Sequence, residues 1–140
     1  MSWVHDNIIL SYNVDLVQEI LVIKTKYHTQ EVCEETDVIF KGLLTHDFKH
    51  VLQNSMIFDI QEYPIERFIK NSSELIEREK GYGWPFPFFD AREKRNKEML
   101  MAYVRAKKYK VFEIMASTGL NGWVMAKQMM IIVNGELKSD

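Results

Sequence analysis

Period-two alternation of apolar and polar side chains runs through the N-terminal half, and it restricts the chain more than any other feature. Ile8, Leu10, Tyr12 and Val14 alternate with Ile9, Ser11 and Asn13, as in a pleated strand whose successive side chains face opposite ways. The Asn13–Asp15 region supplies a turn before the next run. From Ile20 to His28, Leu21, Ile23, Thr25 and Tyr27 share one face, and Ile20, Val22, Lys24, Lys26 and His28 share the other. That second face ends in polar residues and turns wet along its length. After the acidic connector Thr29–Glu35, Asp37 to Leu44 alternates again, with Val38, Phe40 and Leu44 opposite Ile39, Lys41 and Leu43. Met56 to Ile60 makes a fourth, short run. Most connections are too short for crossovers, so the strands must pair antiparallel.

Helical spacing begins at Pro64, a residue suited to a first helical turn because its missing N–H would have no intrahelical partner. Ile65, Phe68 and Ile69 make one apolar stripe, and Asn71-Ser-Ser-Glu74 resembles a capping signal that restarts a second helix as far as Lys80. Gly81 and Gly83 stop it. Asp90-Ala-Arg-Glu93 is the next N-cap candidate, with a stripe of Met99, Ala102, Tyr103 and Ala106 behind it, although Met99–Val104 also fits a strand. Strand pattern returns at Val111–Ala116. The Gly119-Leu-Asn-Gly122 stretch is a turn, and Trp123–Val133 is a last, longer strand with Lys127 as its natural breaking point. Asn134-Gly135 marks a final turn. The expected fold is α+β: a mainly antiparallel sheet of about six strands, as a sandwich or open barrel, with one to three helices inserted between strands four and five. No repeat or linker divides the chain, so residues 1–140 read as a single domain.

Composition removes several classes of protein. The one cysteine, Cys33, excludes an internal disulfide framework and a multi-cysteine metal site. No apolar run approaches the ~20 residues that span a bilayer. The opening MSWVHDNIIL lacks a basic region, a long apolar stretch and a small-residue cleavage site, so no signal peptide and a cytoplasmic location are expected. The net charge of −2 hides an asymmetry: Asp90–Lys110 carries +5 and the remainder −7. Such a run steers an anionic partner, or is simply a solvated helix face with mixed signs.

Candidate chemistry is sparse, and no cofactor is expected. On a helix, His46-Asp-Phe-Lys-His50 would set two imidazoles on one face for a single metal ion, with Asp47 beside them. It echoes the His-Glu-x-x-His motif of zinc peptidases, but the strand pattern just before it and the shorter aspartate weaken the echo. In Trp3-Val-His5-Asp6, histidine adjoins aspartate, yet in an extended backbone the two would face apart and not pair. Cys33 lies among Glu31, Glu34 and Glu35, whose charges raise a thiol pKa and disfavour nucleophilic use. The chain has no G-x-S-x-G elbow, P-loop, G-x-G-x-x-G turn or H-x-E…C-x-x-C pattern. Eight methionines, six of them from Met99 onward, read as core filling.

Gly81-Tyr-Gly-Trp-Pro-Phe-Pro-Phe-Phe89 places five aromatics in nine residues. Its prolines preset an extended path that would present the rings to a partner; folded back, the same rings would fill core, because exposed Trp and Phe are costly. With the basic residues that follow, the segment forms an aromatic-next-to-basic surface of the kind single-stranded nucleic-acid proteins use, against which the acidic balance argues.

The opening Trp3-x-His5-Asp6, the following hairpin strands, Phe58-Asp-Ile60 and Gly122-Trp123 resemble a set of short bacterial β-rich proteins that open with W-x-H-D. The resemblance implies a compact β-rich cytoplasmic domain and transfers no functional residue. By analogy of size and style, such proteins are often immunity proteins of toxin systems.

The leading expectation is a non-enzymatic protein-binding domain, immunity-like or regulatory. Tyr82, Trp84 and Phe86 would anchor a protein partner while Arg92, Lys94 and Arg95 contact its acidic surface. Trp84→Ala would then weaken binding and leave the melting temperature nearly unchanged. The alternatives are a small metal-dependent hydrolase centred on His46 and His50 and, more weakly, nucleic-acid binding. No membrane association is expected, and the edge strands and aromatic loop permit a homodimer.

Overall fold

Strands β1 (Ile8–Asp15) and β2 (Ile20–His28) form the first hairpin of the computed structural model, which describes residues 4–29, 33–86 and 96–138. Their turn lies later than Asn13. Asp15 accepts hydrogen bonds from the backbone N–H groups of Val17 and Gln18 at 3.0 and 2.9 Å, and Glu19 returns the chain through a positive φ of 57°. β2 then pairs along its whole length with β3 (Cys33–Lys41), from Ile20 opposite Lys41 to His28 opposite Cys33. This register stacks Leu21, Ile23 and Thr25 against Phe40, Val38 and Thr36, all buried. The alternation in the sequence therefore identifies the buried face of both strands.

β4 (Thr45–Lys49) and β5 (Met56–Tyr63) follow, then α1 (Ile65–Asn71), α2 (Ser73–Glu79), a 3-10 turn at Lys80–Tyr82, and α3 (Lys97–Lys107). β6 (Lys110–Thr118), β7 (Asn121–Ala126), β8 (Gln128–Val133) and β9 (Glu136–Lys138) complete the chain. The α+β class and the mainly antiparallel sheet agree with the sequence reading. The strand count does not: the described residues contain nine strands in one sheet, ordered β4-β7-β6-β5-β1-β2-β3-β8-β9, rather than about six. The added strands are β4, the short β9, and the second product of the break at Lys127. The helices accordingly lie between the fifth and sixth strands rather than the fourth and fifth.

The ends of this sheet are joined by the chain itself. β3 runs through Gly42 into β4, β7 runs through Lys127 into β8, and the two bent segments pair side by side. Pairing persists through the bend: the Lys127 N–H donates to the Lys41 carbonyl at 3.0 Å, and the Leu44 N–H donates to the Met125 carbonyl at 2.8 Å. Gly42 turns the corner at a φ of +66°, where a β-carbon would run into the Lys127 side chain at 2.8–2.9 Å. The sheet consequently wraps around a core of Leu21, Ile23, Val38, Phe40, Ile57, Ile60, Phe112, Ile114, Val124 and Ile131. β1 and β5 meet narrowly, at Ile8 opposite Met56, with flanking backbone bonds such as Ile57 N–H to Asn7 carbonyl at 2.9 Å.

A second core lies on the other face of β6 and β7, under the helices. Ile69 of α1, Ile76 of α2, and Leu100 and Val104 of α3 pack there with Phe86, Tyr109, Val111 and Met125. The α1 stripe faces this core as expected, with Ile69 fully buried. α3 differs from its sequence reading. Its cap is Asn96, whose side chain accepts from the Met99 N–H at 2.8 Å, and its buried residues are Leu100 and Val104, while Ala102 and Ala106 face solvent. The Asp90–Glu93 signal lies outside the described residues. No helix among the described residues is long and apolar enough to cross a membrane.

Tyr109 links this core to solution conditions. Its ring stacks on Tyr103 at 5.9 Å and lies 5.3 Å below the Lys127 ammonium. Burial, aided by a hydrogen bond with Tyr103, pushes its phenol well above the usual range. For an acid with a raised folded pKa, the unfolded chain ionises first, so the stabilisation is complete below about pH 10 and is lost as pH rises above that. Urea unfolding at pH 9 and pH 11 should therefore show a loss of stability that Tyr109→Phe reduces. An equal loss in the variant would reassign the alkaline effect to other groups.

Candidate functional site

The paired strands β4, β7 and β6 present an outer face that α1 covers only in part. Register fixes what stands there. Asp47 on β4 lies directly opposite Trp123 on β7, and Trp123 lies directly opposite Glu113 on β6. Directly opposed residues share a face, so a carboxylate, an indole and a second carboxylate form one transverse row. With strands about 4.8 Å apart, the two acidic Cα positions are roughly 10 Å from each other, with the tryptophan between them. The alternate residues Phe112, Ile114 and Val124 face the inner core.

Beside this row opens a cleft of ≈ 550 Å³, with Trp123 in its lining, Tyr63, Phe68 and Asn71 on the α1 side, and Lys49 and Asn121 at another part of the rim. The aromatic groups brace one another. Phe68 meets Trp123 edge-on with ring centroids 4.7 Å apart, Trp84 tilts against Trp123 at 5.9 Å, and the Trp84 indole N–H donates to the Thr45 hydroxyl at 2.7 Å. Gly122 allows the close approach that holds β7 to β4. Its φ is +149°, and a β-carbon there would strike the carbonyl oxygen of Asp47. A volume of this size, with aromatic lining and a few polar groups at its edge, suits a small ligand or a single side chain.

A smaller hollow of ≈ 310 Å³ adjoins it, lined by His46, Asp47, Leu75, Glu79 and Trp84. Burial draws the His46 imidazole below its ordinary pKa, with the neighbouring Asp47 carboxylate acting in the opposite sense.

The residues singled out in the sequence separate into different environments. Tyr82 is 89% exposed, Trp84 is half-buried against Trp123, and Phe86 is buried in the helical core at 2% exposure. Arg92, Lys94 and Arg95 lie outside the described residues, as do Pro87, Phe88 and Phe89. His46 and His50 are separated because Thr45–Lys49 is a strand. Side chains four residues apart on extended backbone stand about 13 Å apart rather than one helical turn. His46 packs edge-on against Phe48 at 5.1 Å, while His50, at a φ of +56°, approaches the Asn121 side-chain oxygen at 3.3 Å. The shared metal ion loses its geometric basis, and among the described residues no cluster of three or more His, Cys, Asp or Glu is placed to hold one.

His5 and Asp6 correct an expectation in the other direction. The segment is a turn, with Asp6 at a φ of +65°, so the two side chains do meet, His5 Nδ1 to Asp6 Oδ2 at 3.1 Å. The His5 ring also leans on Phe58, with centroids 5.3 Å apart. Cys33 is exposed.

Sequence reasoning passed over Trp123 and Glu113, treating both as ordinary strand positions. Their local signal is weak because a tryptophan after a glycine and a glutamate between apolar residues suit any half-exposed strand. No family model, curated protein or solved structure matches this chain.

Proposed function

We propose that this protein is a binding domain whose recognition element is the cleft between α1 and the outer face of β4, β7 and β6. The observation that carries this reading is Trp123, a large aromatic set in the lining of an open cleft and bordered by Asp47 and Glu113 on the adjacent strands. Leaving indole surface unfilled forgoes burial at about 25 cal/mol per Å². A ligand that covers it recovers that energy. Trp84 supports the site by packing against Trp123, while Tyr82 remains free to contact a larger partner.

The reading is tested by screening small molecules against the isotopically labelled chain. Bound molecules should shift the Trp123 indole N–H and the amides of Val111–Ala116 and Asn121–Trp123. Asn71→Trp, placed at the exposed end of α1, should narrow the mouth and weaken those molecules about tenfold or more, with the rest of the spectrum in place. Shifts concentrated around Tyr82, with Trp123 silent, would move recognition to the aromatic segment.

A further inference from the structure

We infer that the cleft takes a small organic cation, an ammonium or guanidinium group carried on an apolar body; this rests on the cleft being the recognition site. The reason is the charge arrangement around Trp123. Asp47 and Glu113 flank it on neighbouring strands, and neither side chain forms an ion pair or hydrogen bond among the described residues, apart from the field Asp47 exerts on His46. Asp47 has an uncharged ring as its cross-strand neighbour, and Glu113 has that ring on one side and the uncharged Gln61 on the other, where a sheet surface commonly places an opposite charge. Lys24 opposite Asp37 and Lys26 opposite Glu35, on β2 and β3, show that commoner arrangement in this same sheet.

An indole between two unpaired carboxylates suits a cation in two ways. The ring face attracts positive charge through its quadrupole, and the carboxylates accept charge-assisted hydrogen bonds from N–H donors. A metal ion fits less well, because it needs several donors converging within bonding distance, and here a ring separates the two acids. An anion would face two like charges against Lys49, the one cation of the lining among the described residues, which lies two residues beyond Asp47 on the same strand face. Lys49 also directs the ligand: its positive end belongs at the Asp47–Trp123–Glu113 row and its body toward Tyr63 and Phe68.

The test uses four probes of similar size on the full chain: benzylammonium, phenylguanidinium, benzyl alcohol and benzoate. The two cations should shift the Trp123 indole N–H at concentrations at least about tenfold lower than the alcohol or benzoate, and added salt should weaken the cations alone. The paired substitution Asp47→Asn with Glu113→Gln preserves shape, and it should abolish the preference while benzyl alcohol keeps its affinity. Binding of the alcohol or benzoate as tight as that of the cations would overturn the inference and leave the cleft as the recognition site. A preference that survives the paired substitution would overturn it as well. Silence of Trp123 toward all four probes would reject both the cation and the cleft.

Discussion

Gly122→Ala should destabilise the protein by roughly 3–5 kcal/mol, combining the strain of an unfavourable backbone angle with a clash that cannot relax. The angle is a φ of +149°, which L residues with side chains rarely adopt. The clash is with backbone: the new methyl would strike the Asp47 carbonyl oxygen and lie 2.9 and 3.0 Å from the Asp47 carbonyl carbon and the Phe48 Cα. A flexible side chain could swing aside, but a paired strand cannot move without losing its ladder. β4 would have to separate from β7, which also dismantles the row of Asp47, Trp123 and Glu113. Equilibrium unfolding in urea reads the stability, and the Trp123 indole signal reads the cleft. A loss below about 1 kcal/mol would mean that β4 is held far less closely than the register implies.

Trp84→Ala should be the second-largest loss, about 2–3 kcal/mol, below the full range for a buried aromatic because the ring is half-exposed. For a chain of this length that is a fall in melting temperature of roughly 6–10 °C. This expectation reverses the one drawn from sequence, in which Trp84 was a solvent-facing anchor. Here its N–H is engaged by Thr45 at 2.7 Å and its ring supports Trp123. Trp84→Phe separates the two contributions, keeping most of the packing and giving up a hydrogen bond worth about 1 kcal/mol. An unchanged melting temperature in Trp84→Ala would return this ring to the solvent-facing role.

What the sequence revealed and what it hid follow from the range of the interactions involved. Leu21, Ile23, Val38 and Phe40 were legible because a strand's buried face is written locally, every second residue. Ile65, Phe68 and Ile69 were legible for the same reason at helical spacing. Thr45–Lys49 was not: all five residues are half-buried or exposed, so no clean alternation appears, and two histidines four apart mimic a helical motif. The cleft was hidden for a deeper reason. Asp47, Glu113 and Trp123 meet only through the register of three strands, two of them far from the first in sequence, and nothing local fixes that register. Phe86 and Tyr82 show the limit of composition, since two aromatics four residues apart in one segment end at 2% and 89% exposure.

Strand β7 is a party wall. Val124 and Ala126 close the inner core, while Trp123 and Met125 belong to the outer one, all within six residues. A change that suits one room is felt at once in the other, so β7 has little freedom to drift. Asp47, Glu113 and Asn71 stand on the rim and belong to neither core. New ligand preferences would therefore be reached by exchanging rim residues around a constant indole, and the strand that carries the indole would stay as it is.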